Sequence, residues 1–161
     1  MHHSMNLKFS AILVAALLGG GQSSAHPVGQ PAFSFVCHLG PKAVRVTTEG
    51  TDLVYRYGTI NAPELTIRGS AASHNVFFHH DTWAHGEGQQ LRFVNDAYSY
   101  VLSSVFVAPG YDGRGAEDWV KFSVLHDDKV IKTLSCQRSA AFDNFDQLDL
   151  LPPDGMRAIA Y

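Results

Sequence analysis

Alternation of apolar and polar residues is the main pattern in this 161-residue chain. Residues 44–48, 53–57 and 65–68 alternate with the period of a strand that has one face in the core and one in water. Turn-forming residues separate these segments, so the first two predict a β-hairpin. Further strand candidates are residues 32–37, 76–78, 91–94, 98–107, 119–125 and 130–136.

No long helical pattern interrupts these segments, and about eight short strands joined by turns predict an all-β fold. We expect a small antiparallel β-barrel or sandwich over residues 26–138. The His-rich and Gly-rich stretch at residues 79–90 predicts a polar loop. Residues 139–161 predict a C-terminal tail that packs on the domain or extends from it, with a short helix that Ser139 caps and Pro152 ends.

The first 25 residues have the pattern of a secretory signal peptide. Lys8 supplies a positive charge, an apolar run follows at residues 9–18, and Ser23 and Ala25 are small residues at the positions that a signal peptidase reads. The apolar run is too short to span a bilayer, which takes about 20 residues. We therefore expect cleavage before His26, a mature chain of 136 residues, and a periplasmic or secreted location without membrane insertion.

Charge and cysteine content narrow the partners and the compartment. Because Lys8 is the only charge in the first 25 residues, the mature chain has one basic residue fewer than the 12 of the full sequence, against 15 acidic ones, a net charge of −4. Nucleic acids favour clustered Lys and Arg, which this sequence lacks, so we expect no nucleic-acid partner. Cys37 and Cys136 are the only cysteines. In an oxidising compartment they predict one disulfide, the alternative being two separate buried thiols.

A His-rich cluster is the first candidate for chemistry. His74, His79, His80, Asp81 and His85 offer imidazole and carboxylate ligands, which suit zinc or copper. His79 and His80 are adjacent at a predicted strand end and point to opposite faces, so only alternating members such as His79 and Asp81 can share a site. Two alternatives stay open, a metal site drawn from His79, His80, Asp81 and His85, and a polar or pH-responsive His-rich surface.

Templates for catalysis are missing from the sequence. The chain has no Gly-x-Ser-x-Gly elbow, no phosphate-binding Gly-rich loop between a strand and a helix, and no cysteine left over as a nucleophile. We therefore expect neither enzymatic activity nor a cofactor.

The loop at residues 109–115 is the second candidate, as a binding surface. Tyr111, Asp112 and Arg114 lie between glycines, and rigid scaffolds commonly present binding residues on such loops. Tyr and Arg are enriched at binding hot spots because each combines a large surface with directional hydrogen bonds. Together with Tyr98 and Tyr100 they predict a partner-binding surface, the alternative being a plain surface loop whose glycines serve backbone geometry.

The order of features from Cys37 to Cys136 resembles the small periplasmic inhibitor and immunity proteins of Gram-negative bacteria, among them the lysozyme inhibitors. Those proteins have a signal peptide, a compact antiparallel barrel, few cysteines, and loops that block a hydrolase active site. In the lysozyme-inhibitor families a Ser-Gly-containing loop with Tyr enters the enzyme's cleft. Residues 95–100 are the nearest counterpart here and lack the Ser-Gly pair, so no inhibitory residue is carried over.

The resemblance implies a protein partner, either a peptidoglycan hydrolase or a delivered toxin. We therefore expect a periplasmic inhibitor or immunity protein that acts against a cell-wall-degrading hydrolase. A periplasmic His-rich metal-binding or stress protein is the alternative.

Overall fold

The computed structural model describes residues 33–110, 115–137 and 145–155, with only the backbone described at 145–147. The described chain contains nine strands in two antiparallel sheets, of four and five strands, in which every strand pairs with its neighbours in sequence. The first sheet comprises β1 (Ser34–Leu39), β2 (Lys42–Glu49), β3 (Asp52–Gly58) and β4 (Pro63–Gly69). The second sheet comprises β5 (Val76–Trp83), β6 (Gly86–Asn95), β7 (Tyr98–Val107), β8 (Glu117–His126) and β9 (Lys129–Ser135).

The all-β prediction is confirmed. The two sheets are not closed into a barrel, so the architecture is the sandwich of the two predicted alternatives. Among the described residues, no helix is long and apolar enough to cross a membrane. The predicted signal peptide at residues 1–25 lies outside the described residues.

Hairpin turns set the register of the strands. At the turn between β8 and β9, Asp127 and Asp128 both have positive φ angles, of 47° and 62°. Two successive residues in this conformation form the tight turn that matches the twist of a hairpin, and Asp tolerates it better than most residues. One hairpin of the second sheet therefore closes at these two residues.

The inner faces of both sheets contribute to a single core. Apolar residues at alternate positions of the strands face inward, and Tyr55 of β3 lies at the centre of an aromatic group. Its ring centroid is 5.4 Å from that of Phe93, 5.4 Å from that of Tyr100 and 6.4 Å from that of Phe122. Aromatic contacts between sheets stabilise a sandwich because each ring buries a large apolar surface.

A disulfide joins the two sheets at one edge. Cys37 in β1 and Cys136, the residue after β9, form a bond with an S–S length of 2.03 Å. Next to it, the Gln137 N–H donates to the His38 carbonyl at 2.9 Å. The predicted disulfide is confirmed, and it links an edge strand of one sheet to the chain leaving an edge strand of the other.

The C-terminal segment packs against the opposite edge of the second sheet. A 3₁₀ helix spans Phe145–Leu150, and its Leu148 is fully buried in the core. The Phe78 N–H of β5 donates to the Pro152 carbonyl at 3.1 Å, and the Asp154 N–H donates to the Phe78 carbonyl at 2.9 Å. These bonds cover the edge of β5. The predicted cap at Ser139 lies outside the described residues.

The prediction of a polar loop at residues 79–90 is wrong. Residues up to Trp83 belong to β5 and residues from Gly86 belong to β6, and the two strands pair without interruption. The antiparallel ladder needs only backbone groups, so it continues through polar side chains where the apolar alternation ends.

Candidate functional site

The loop between β7 and β8 projects from one end of the five-stranded sheet. The two strands remain paired up to Val107 and Glu117, the last residues on either side of the loop. Tyr111, Asp112 and Arg114 lie outside the described residues. The surface that surrounds the base of the loop is described, and it has a distinct composition.

A row of three side chains crosses the inner face of the sheet at this end. Glu87 of β6 pairs with Phe106 of β7, which pairs with Asp118 of β8. Because neighbouring strands lie about 4.8 Å apart, the two acidic residues are about 10 Å apart with the phenylalanine between them. Phe106 has 44% of its surface exposed, which is high for a large apolar residue.

This row forms the rim of an open groove with a volume of about 460 Å³, which we call the acidic groove. Its other polar lining residue, Ser104, belongs to the next inner-facing row, where it pairs with Gln89 of β6. None of the lining residues is Lys or Arg. The full lining is Glu87, Ser104, Val105, Phe106, Asp118, Trp119 and Val120.

Aromatic residues add to the exposed apolar surface at the same end. Trp83, the last residue of β5, is 39% exposed. Trp119 is half-buried beside the groove, and the Lys121 Nζ lies 5.5 Å from its ring centroid. Large apolar side chains exposed together at one end of a domain are typical of a surface that a partner covers.

The two other predicted partner-binding residues lie at the far end of β7. Tyr98 is 41% exposed, and its ring centroid lies 4.6 Å from that of His126. Tyr100 turns inward against Tyr55, and burial raises the pKa of Tyr100 above its ordinary value. Nine residue steps of about 3.4 Å place Tyr98 about 30 Å from Val107. Tyr98 therefore lies at the opposite end of β7 from Val107, the last paired residue before the loop.

The histidines of the predicted metal site are divided between the two faces of the sheet. On the outer face, His79 Nε2 lies 2.9 Å from Asp81 Oδ2, so these alternating residues do meet as predicted. On the inner face, His80 Nε2 lies 3.5 Å from Glu87 Oε2. His85 is exposed in the turn between β5 and β6. Within the described residues, no group of three or more potential metal ligands occurs.

A buried carboxylate that sequence reasoning missed lies on the outer face of β6. The side chain of Asp154 is fully buried, accepts a hydrogen bond from Gln90 Nε2 at 2.7 Å, and forms an ion pair with Arg92 at 2.7 Å. The Arg92 guanidinium also stacks over the Phe77 ring at 4.5 Å. These contacts attach the C-terminal segment to the sheet, so the cluster has a structural role. The sequence gives little indication that Asp154 is buried, because this residue follows two prolines in the predicted C-terminal tail.

A second cavity, of about 380 Å³, lies on the outer face of the four-stranded sheet. Arg45 lines it and donates to the carbonyls of Thr59 at 3.0 Å and Ile60 at 3.1 Å. The guanidinium therefore braces the loop between β3 and β4, which forms one wall of the cavity.

Comparisons with known proteins give no relative. No protein-family model, no curated protein and no solved structure matches the chain.

Proposed function

We propose that the protein is an exported binding protein that inhibits a cell-wall-degrading hydrolase. The observation that carries the proposal is the surface at the β7–β8 end of the sandwich, where exposed Phe106 lies between the strand positions of Glu87 and Asp118 and where Trp83 is exposed at the same end of the sheet. The loop with Tyr111 and Arg114 in its sequence leaves the sheet at this end.

Rigidity supports an inhibitory role. Glu87, Phe106 and Asp118 lie on paired strands of the second sheet, and the sandwich is cross-linked by the Cys37–Cys136 disulfide. A binding surface that is already ordered loses less conformational entropy on association, so it binds more tightly for a given contact area. A disulfide is also the bond expected of a protein that works outside the reducing cytoplasm, where cell-wall hydrolases act.

Charge supports the choice of partner. Peptidoglycan carries free carboxylates, so an enzyme that binds it gains from a basic surface. An acidic surface on the inhibitor attracts such an enzyme and accelerates their encounter. Within the described residues, Glu117 and Asp118 make no ion pair, so their charges are available to a partner.

Binding to a panel of purified peptidoglycan hydrolases, measured by calorimetry with the mature protein, tests the proposal. We expect the double variant Tyr111→Ala/Arg114→Ala to weaken binding at least about tenfold, since each residue type is a common hot spot. Lys129→Ala, at the exposed start of β9 and at the other end of the second sheet from the β7–β8 loop, is the control and leaves the affinity unchanged. Undiminished binding by the double variant would show that Tyr111 and Arg114 do not contribute to hydrolase binding.

A further inference from the structure

The acidic groove combines a mostly apolar lining with two carboxylates. Its charged residues are Glu87 and Asp118, and its lining includes no Lys or Arg. An imidazole lies next to it, with His80 Nε2 at 3.5 Å from Glu87 Oε2. Two carboxylates about 10 Å apart without an intervening cation repel each other, and a positively charged group between them relieves this repulsion.

A buried acceptor lies on the same face, one row deeper. Gln89 is two residues from Glu87 on β6, so both side chains project from the inner face. Only 5% of the Gln89 surface is exposed, and its Oε1 is buried without a hydrogen-bond partner among the residues that the structure describes. Its pairing partner on β7 is Ser104, which lines the groove. A buried carbonyl oxygen without a donor is costly, so a ligand that supplies a donor here gains binding energy.

The ring of Phe106 lies between the two carboxylates and is 44% exposed. The face of an aromatic ring attracts a cation, and a planar guanidinium can also stack on it. The groove therefore combines a stacking surface with two negative charges, and the buried Gln89 acceptor lies in the next row of the same face.

We propose that the acidic groove binds the guanidinium of an arginine that the protein partner inserts. The proposal rests on the proposed function and names the chemistry by which that partner is recognised. A guanidinium has five N–H donors in a planar fork, which suits several acceptors around a ring, whereas an ammonium is a compact point charge. A neutral sugar would also stack on Phe106, but it would leave the charges of Glu87 and Asp118 uncompensated.

Titration of the ¹⁵N-labelled protein with N-acetylargininamide is a direct assay. The backbone amide shifts of Glu87, Phe106 and Asp118, which lie in one row of the sheet, are followed during the titration. We expect saturable binding at roughly millimolar concentration, as befits one side chain without a partner protein. Binding weakens as ionic strength rises, because surface charges are screened.

Neutral variants test the assignment. Glu87→Gln and Asp118→Asn each remove one charge and keep the side-chain shape, and each is expected to weaken binding about tenfold by loss of a charge-assisted hydrogen bond. Asp128→Asn removes the same charge from the turn between β8 and β9, at the other end of β8, and leaves the affinity unchanged. Asn tolerates the positive φ of 62° at this position.

Ligand controls on the unsubstituted groove keep the test independent of variant folding. N-acetyllysinamide is expected to bind more weakly and the neutral N-acetylglutaminamide not at all. Equal binding of the three amides, or tighter binding of an N-acetylglucosamine oligomer than of argininamide, would overturn the proposal. Argininamide binding without any hydrolase binding would refute the proposed function and leave the groove assignment intact. Hydrolase binding that Glu87→Gln does not weaken would refute the groove assignment and leave the proposed function intact.

Discussion

Removal of the Cys37–Cys136 disulfide gives the clearest prediction of a change in stability. The two cysteines are 99 residues apart. In the chain-entropy model, closing a loop of about 100 residues lowers the entropy of the unfolded chain enough to contribute about 4.7 kcal/mol of stability. A domain of this size has a total stability of about 5–15 kcal/mol, so the bond accounts for a third of it or more.

Urea unfolding of three samples measures this contribution. The oxidised protein is compared with the same protein under a thiol reductant and with the variant Cys37→Ala/Cys136→Ala. We expect both cross-link-free samples to lose about 3–5 kcal/mol. Their m-values rise, because an unfolded chain without the cross-link is more expanded. The alanine variant loses slightly more than the reduced protein, since Cys37 is fully buried and its truncation leaves a small cavity.

A loss below about 1 kcal/mol in both samples would refute the reasoning. It would mean that the backbone bond from Gln137 to His38 and the shared core hold the two edges together without the cross-link. A loss in the alanine variant alone would assign the effect to the cavity.

Three further changes test other parts of the fold. Asp154→Asn removes the charge paired with buried Arg92 and is expected to destabilise by about 3 kcal/mol in thermal unfolding, whereas exposed Asp149→Asn, five residues earlier, has no effect. Tyr55→Phe removes a buried hydroxyl that has no hydrogen-bond partner within the described part of the chain, and we expect it to stabilise the fold by about 1 kcal/mol. Because burial raises the pKa of Tyr55, the substitution also reduces the stability loss above about pH 10. Hydrogen bonds from Arg56 and Arg68 hold the pKa of Glu49 below its usual value, so this stabilisation is lost as pH falls through the lowered pKa, and Glu49→Gln flattens the acid limb of the stability profile.

Local sequence signals were sufficient for the regular hairpins and the cross-link. The strands β2 and β3 alternate clearly because one face is in the core and the other in water. Two successive Asp residues at positions 127 and 128 favour a turn, because Asp tolerates the left-handed backbone conformation that tight turns need. With two cysteines in the chain, only one intramolecular pairing was available.

Features that depend on pairing between strands could not be predicted. The strand character of residues 79–90 is set by the ladder between β5 and β6, and the polar side chains there hide it. Glu87, Phe106 and Asp118 form one row only because the register of three strands aligns them. Tyr98 and the β7–β8 loop are close in sequence but lie at opposite ends of β7, because an extended strand of ten residues separates its two ends by about 30 Å.

Inhibition of peptidoglycan hydrolysis is the most direct test of the central claim. The mature, oxidised protein is mixed with each hydrolase of the panel, and the clearing of a cell-wall suspension is followed over time. We predict that one hydrolase loses its activity in proportion to the inhibitor added, and that Tyr111→Ala/Arg114→Ala restores its activity. Unchanged clearing rates for every hydrolase at saturating protein would contradict the proposed function.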